Sequence, residues 1–196
     1  MKIAWKSAEK IFDKLKKTRK LNISYKKESS IWKNHVDADG SADVEIWLKK
    51  ANWNFEAPWT NKSEEYWIAH TLLHELLHIV LYDDNDKFRK IRSLCIEIRS
   101  NNGNKWLSRL GNDAFYENAY TWTKEENQWL EDTIELCTMF AMDPKYFYKH
   151  MENLVSNNEQ AAEYRKNNNL SKLNDKEKVK EIKNLVKEAV DWYISS

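Results

Sequence analysis

The sequence predicts an α+β fold that is mostly helical, with a small antiparallel sheet and a C-terminal helical appendage. Glycine and proline are rare, with three and two residues among 196, and this scarcity argues against many tight β-turns. Apolar residues recur at helical spacing over most of the chain, whereas period-two alternation is confined to one region near the N-terminus. A hydrophobic share of 41% with ten tryptophans supplies enough apolar surface for a folded core.

The N-terminal part contains the predicted sheet. Residues 3–17 carry apolar side chains at helical spacing between lysines, which predicts an amphipathic first helix. Residues 21–25 and 44–48 alternate apolar and polar side chains, and the turn-rich segment 37–41 joins the second run to residues 31–36. We therefore expect a small antiparallel sheet in this region.

The middle of the chain predicts three successive helices. Ser63 is a candidate N-cap for a helix that runs to about Tyr82. Because this helix is apolar around most of its circumference, we expect it to be central and buried. The next helix ends at the breaker Asn101–Gly103, and a third begins at the capping box Thr123–Glu126 and stops at Pro144.

The C-terminal part changes in composition. After residue 156 the chain becomes rich in Asn, Lys, Glu and Gln, and a last amphipathic helix follows a predicted hinge at 167–169. We therefore predict one domain over residues 1–150 and a helical appendage over residues 151–196.

Charge and cysteine content limit the partners and the compartment. Lys plus Arg number 32 and Asp plus Glu 31, which leaves a formal charge of +1, so neither a nucleic-acid nor a membrane partner is expected. The N-terminus lacks the apolar segment of a signal peptide, and no apolar run approaches the roughly 18 residues of a membrane span, so we expect a cytoplasmic protein. Cys95 and Cys137 lie in apolar helical patterns outside any C-x-x-C pair and are expected to be buried free thiols.

The predicted buried helix contains the motif H-E-x-x-H, formed by His74, Glu75 and His78. Imidazoles four residues apart share one helical face, about 6 Å apart along the axis, so both can bind one ion. Glu75 is offset by about 100° and can hold a water molecule at that ion. The spacing predicts a Zn²⁺ site with the two histidines as ligands and Glu75 as the catalytic residue. The alternative is a pair of core histidines satisfied by hydrogen bonds.

A catalytic zinc ion takes three protein ligands and leaves a position for water, so a third ligand is required. Glu131 is the predicted third ligand, because it lies off the apolar stripe of the helix that follows the capping box. Glu135 falls on the same face one turn later and can orient a ligand histidine. The alternative for both glutamates is a solvated acidic face.

Other residues are weaker candidates for the third ligand. Asp84 follows His78 by six residues, and Glu126 is expected to be used by its helix cap. His70 shares the face of the motif, but on a straight helix it lies about 12 Å from His78 along the axis. We therefore expect His70 to support the site or to pack in the core.

The motif and the helix with Glu131-Asp132-Thr133-Ile134-Glu135 resemble the gluzincin branch of the zinc metallopeptidases. The stretch from Glu131 to Pro144 is also similar to the ImmA/IrrE-like regulator peptidases and to small H-E-x-x-H proteins of phages and mobile elements. The resemblance covers roughly residues 40–145, and within it only H-E-x-x-H is specific. It implies a zincin-like domain with a Zn²⁺ cofactor.

The motif and the resemblance together imply a metallopeptidase that hydrolyses a peptide bond in a peptide or protein substrate. Glu75 would accept a proton from the attacking water and pass it to the leaving amine. Tyr116, Tyr120 and His150 are candidate oxyanion donors by residue type alone. The competing hypothesis is a non-catalytic binding module of phage or mobile-element origin, with a structural or vestigial zinc site.

Overall fold

The structure of the chain is a computed structural model in which helices make up most of the described residues. It describes residues 6–18, 21–26, 33–36, 42–47, 64–81, 86–101, 107, 125–168 and 170–195. The helices are α1 Lys6–Thr18, α2 Glu64–Leu81, α3 Asp86–Asn101, α4 Glu125–Met142, α5 Pro144–Val155, α6 Glu159–Asn167 and α7 Lys176–Ser195. The first helix, the three helices of the middle region and the last helix are thereby confirmed.

The sheet differs from the predicted one. Strands β1 Leu21–Lys26, β2 Lys33–Val36 and β3 Ala42–Trp47 form a sheet in the order β1-β3-β2. β2 and β3 pair antiparallel, but β1 pairs with β3 in parallel, with Leu21 and Val36 both opposite Ala42.

The predicted α+β fold with an antiparallel sheet is therefore wrong. The described part of the chain is mostly helical, and its short sheet is mixed. The physical reason is that period-two alternation identifies a strand without choosing its partner. β2 follows β1 in the chain, but β1 pairs with β3.

Helix α4 is the centre of the helical packing. It packs against α1, α2, α3, α5 and α7, and every residue from Glu131 to Met142 is buried. A helix that is buried all round must have its polar side chains satisfied inside the protein. Five of these buried residues are polar, namely Glu131, Asp132, Thr133, Glu135 and Thr138.

Helix α2 lies beside α4 and also contacts α1, β2 and β3. Its residues from Leu73 to Leu77 are all buried, which confirms the expectation of a buried helix. In the part of the chain that the structure describes, no helix combines the length and the apolar character needed to cross a membrane.

The C-terminal helix shares the same core. α7 packs against α1, α3, α4 and α5. Its buried residues are Val179, Ile182, Val186, Ala189, Val190 and Tyr193. All six belong to one hydrophobic cluster with residues of α1 to α5. Trp192, on the same helix, is 46% exposed. The predicted division after residue 150 falls inside α5 and stays a prediction, since the described core is continuous across it.

Candidate metal centre

Two helices bring the candidate residues together. α2 carries His70, His74 and His78 at successive intervals of four residues, so the three imidazoles share one face. α4 carries Glu131 and Glu135 at the same interval and packs against α2. A row of histidines therefore faces a row of glutamates across the helix interface.

The three residues predicted as ligands form one compact group. Glu131 Oε2 lies 2.9 Å from His74 Nε2, and Glu131 Oε1 lies 3.2 Å from His78 Nε2. One donor atom from each of the three residues lies within 4.8 Å of the other two. A tetrahedral zinc site with bonds of about 2.0–2.1 Å separates its donors by about 3.3 Å. The group could therefore hold a metal ion.

Glu135 contacts the opposite side of the His74 ring. The Nδ1–H of His74 donates to Glu135 Oε2 at 3.2 Å, while Nε2 faces Glu131. A carboxylate at the second ring nitrogen fixes the tautomer and the orientation of a metal-binding histidine. The two glutamates thus have different places: Glu131 lies with the candidate ligand atoms, and Glu135 lies behind His74.

His70 extends this row by one residue. Its Nε2 lies 3.2 Å from Glu135 Oε1, so Glu135 has a histidine at each carboxylate oxygen. His70 is buried, with 8% of its surface exposed. It does not join the group of candidate ligands formed by His74, His78 and Glu131.

The five side chains form a network of contacts between imidazole rings and carboxylates. Burial raises the pKa of Glu131, but the charge of His78 and hydrogen bonds from both His74 and His78 hold that pKa well below its usual range. Burial also raises the pKa of Glu135, yet His70 and His74 lower it to about 2 by charge and hydrogen bonding.

The same network acts on His74 in the opposite sense. Burial lowers the pKa of His74, but its hydrogen bonds to Glu131 and Glu135 raise it well above its usual value. The raised pKa favours the imidazolium form of His74, in which one ring N–H faces each glutamate. A metal ion at this group would replace the proton on Nε2 and leave the Nδ1–H on Glu135.

Glu75 is buried beside the predicted ligands. It is 6% exposed, it directly follows the candidate ligand His74 in the chain, and its negative charge adds to the raised pKa of His74. The side chain of His78 is 12% exposed, against 5% for His74 and 6% for Glu131. Solvent therefore reaches the group mainly from the side of His78.

A second polar network, which the sequence does not predict, lies next to this group. Asp132 is fully buried, and its Oδ2 lies 3.8 Å from Arg99 Nη1 and accepts a hydrogen bond from Leu107 N–H at 3.2 Å. The carbonyl oxygen of Leu107 accepts a hydrogen bond from His150 Nε2–H at 2.8 Å. Residue 107 is thereby attached to both α4 and α5. The one sequence signal for this network is a second acid directly after Glu131.

The ring of His150, a candidate oxyanion donor, is engaged on both sides. Its Nδ1 lies 2.8 Å from Tyr164 Oη, which in turn lies 2.7 Å from Tyr146 Oη. Since Nε2–H donates to a carbonyl oxygen, Nδ1 of the neutral ring accepts the proton of Tyr164. These bonds connect α5 and α6 and give His150 a structural role.

Several residues weighed from the sequence are not placed. Asp84, Tyr116 and Tyr120 lie outside the described residues. Glu126 belongs to the first turn of α4, where the structure describes the backbone alone. The assignment of Glu131 as third ligand therefore rests on its own contacts with His74 and His78.

Comparison with known proteins gives no relative. No family model matches the chain, and neither a curated protein nor a solved structure is significantly similar to it. A function for this chain has to be argued from the chemistry of the site.

Proposed function

We propose that this chain is a zinc-dependent metallopeptidase that hydrolyses peptide bonds in a peptide or protein substrate. The observation that carries the proposal is the position of the Glu131 carboxylate, which contacts Nε2 of both His74 and His78. Two imidazoles and one carboxylate are a ligand set of catalytic zinc sites, which keep a fourth position open. Magnesium and calcium prefer oxygen ligands, so the two nitrogen donors favour zinc.

Each residue has a role in this proposal. His74, His78 and Glu131 would hold a Zn²⁺ ion, which would supply Lewis-acid chemistry for a water molecule and for the substrate carbonyl. Glu75 accepts a proton from the attacking water and passes it to the leaving amine. Glu135 holds the His74 ring so that Nε2 faces the other donor atoms.

Burial also supports a metal-binding role over a purely structural one. Taking ionised groups out of water costs several kcal/mol per ion, and an apolar side chain of similar volume is often as stable in such a position. His70, His74 and His78 nevertheless lie at this one interface. They contact Glu131 and Glu135 across it, and Glu75 directly follows His74 in the chain. A metal ion gives these side chains a function that their contribution to folding does not require.

The test combines metal content with cleavage of a peptide library of mixed sequence, read by mass spectrometry. The wild-type protein should carry about one zinc ion per chain and cleave a subset of the peptides. Glu75→Gln should keep the zinc and the fold and lose cleavage by at least about 100-fold, because the amide cannot accept a proton. Glu152→Gln, which changes an exposed glutamate on α5, is the matched control and should cleave like the wild type.

Two results would contradict the proposal. Cleavage by Glu75→Gln at the wild-type rate removes Glu75 as the proton acceptor. A wild-type protein that binds zinc tightly and cleaves no peptide has a structural zinc site instead.

A further inference from the structure

We infer that His70 is a positioning residue for the metal centre, which it reaches through Glu135. The inference rests on the proposed function, because it assigns a role towards the zinc ion that the proposal places at His74, His78 and Glu131. Nothing in the H-E-x-x-H motif requires a histidine at this position.

The contacts form a continuous path across the helix interface. His70 Nε2 lies 3.2 Å from Glu135 Oε1, and the other oxygen of Glu135 accepts the Nδ1–H of His74 at 3.2 Å. Each oxygen of the Glu135 carboxylate therefore lies 3.2 Å from a histidine nitrogen of α2. Glu135 is 2% exposed, so no solvent layer can replace a partner that is removed.

Two fixed oxygens determine the direction in which the carboxylate points. A carboxylate with one partner can rotate about its last side-chain bond, whereas one bound through both oxygens holds a single plane. Because that plane sets the direction of the hydrogen bond to Nδ1, it also sets the orientation of the His74 ring. His70 thus fixes the Glu135 plane, and Glu135 fixes the ring that presents Nε2 to the ion.

Its place on α2 separates His70 from the ligands. It lies eight residues before His78, about 12 Å along a straight helix, and the compact group of donor atoms consists of His74, His78 and Glu131. His70 Nε2 contacts Oε1 of Glu135, whereas His74 contacts Oε2. Position and contact both indicate support of the site and not ligation.

The test measures zinc affinity by competition with a chromophoric chelator and needs no peptide substrate. His70→Phe keeps a ring of similar shape and removes the N–H, and His70→Leu is a second variant in case the first packs badly. Each should weaken zinc binding by about 10-fold, the lower end of the effect of losing a supporting contact. His70→Gln, whose amide N–H can still donate to Glu135, should restore the affinity to within about 3-fold.

A double-mutant cycle with Glu135→Gln separates this role from general packing. If His70 acts through Glu135, then His70→Phe should change zinc affinity by less than about 2-fold when Glu135 is already replaced. The absorption spectrum of the Co²⁺-substituted protein should also change in His70→Phe, because it reports the geometry of the ligands. Ile91→Val, which removes a methylene group from the core on α3, controls for lost stability and should leave affinity and spectrum unchanged.

The outcomes are distinct for the two claims. A wild-type chain that binds no zinc overturns the proposed function and this inference with it. If the wild type binds zinc and both His70→Phe and His70→Leu bind it equally well, or if the effects of His70 and Glu135 are additive, the inference alone is overturned.

Discussion

Histidines of α2 alternate with glutamates of α4 along one line of contacts between these helices. The order along this line is His78, Glu131, His74, Glu135 and His70. Burial of an unpaired charge costs several kcal/mol, so the removal of one member leaves its neighbours without compensation. The two glutamates can be distinguished by experiment, because Glu131 contacts Nε2 of both candidate ligand histidines, whereas Glu135 contacts Nδ1 of His74 and Nε2 of His70.

Glu131→Ala should weaken zinc binding far more than Glu135→Ala does. Removal of a ligand takes away a bond to the ion, whereas loss of a residue that orients a ligand typically costs about 10–100-fold in affinity. Chelator competition measures both constants, and the urea midpoint of each metal-free variant shows whether the fold survives. Equal losses in the two variants would remove the distinction between ligand and orienting residue. Asp143→Asn changes a half-buried acid outside the candidate ligand group and should bind zinc like the wild type.

Both thiols should be unreactive towards a water-soluble disulfide reagent in the folded protein. Cys95 and Cys137 are free and fully buried, which confirms the prediction from the sequence. Burial raises the pKa of both thiols, with Asp132 adding to the effect at Cys95, and the thiolate is the reactive form. The reagent should release about two equivalents of product in denaturant and almost none without it. Rapid reaction of either thiol under native conditions would contradict their burial.

The sequence predicted those features of the site that depend on the geometry of one helix alone. Four-residue spacing places His74 and His78 on one helical face wherever that helix lies in the fold. The contact between Glu131 and these residues depends on α2 packing against α4, and no spacing in the sequence determines which helices pack together. His70 shows the same limit: its position on the face was predictable, but its partner Glu135 is contributed by another helix.

At the scale of elements, local patterns identified helices and strands but not the pairing of the strands. Apolar spacing identified α1 because Ile11 and Leu15 face the core, and the breaker after α3 marked its end. Alternation identified β1 and β3 equally well, yet their parallel pairing depends on the path of the intervening chain. The antiparallel pairing of β2 and β3 was predictable because a short turn-rich segment joins them.

Asp143 is the one residue between α4 and α5, and loss of its side-chain carboxylate should destabilise the protein. The N–H of Asp143 donates to Met139 O at 2.9 Å, and its side chain accepts the N–H of Tyr146 at 3.0 Å. Pro144 at the first position of α5 suits this start, because its missing N–H has no helical partner there. Asp143→Ala should lower the free energy of unfolding by about 0.5–2 kcal/mol.

Urea denaturation of the metal-free protein measures this loss. Asp143→Asn retains a side-chain oxygen that can cap the helix and should stay within about 0.5 kcal/mol of the wild type. Asn158→Ala removes the corresponding cap of α6, whose oxygen accepts Ala161 N–H at 2.7 Å, and should give a loss of similar size. A stable Asp143→Ala would show that the junction is held by packing alone.

At the scale of the whole molecule, the position of α4 makes the other helices interdependent. Five helices pack around it, so loss of one exposes both its own apolar face and part of the face of α4. The sequence predicted the amphipathic pattern of α7 but separated this helix from the core by its change in composition. Composition describes the solvent-facing residues of a helix as well as the buried ones, and the solvent-facing residues of α7 are mostly charged.

A chain that ends at residue 150 should therefore fail to fold cooperatively. Four aliphatic side chains of α7, namely Val179, Ile182, Val186 and Val190, are at most 2% exposed. At about 1.5–3 kcal/mol each they contribute about 6–12 kcal/mol, which is comparable with the total stability of a typical domain, about 5–15 kcal/mol. Circular dichroism with urea should show a broad transition or none for residues 1–150 and a sharp transition for the full chain. Within the full chain, Ile182→Ala should cost about 2–5 kcal/mol, whereas Trp192→Ala, on the same helix but 46% exposed, should cost less than about 1 kcal/mol. A sharp transition in the shortened chain would instead establish residues 151–196 as an appendage that the core does not need.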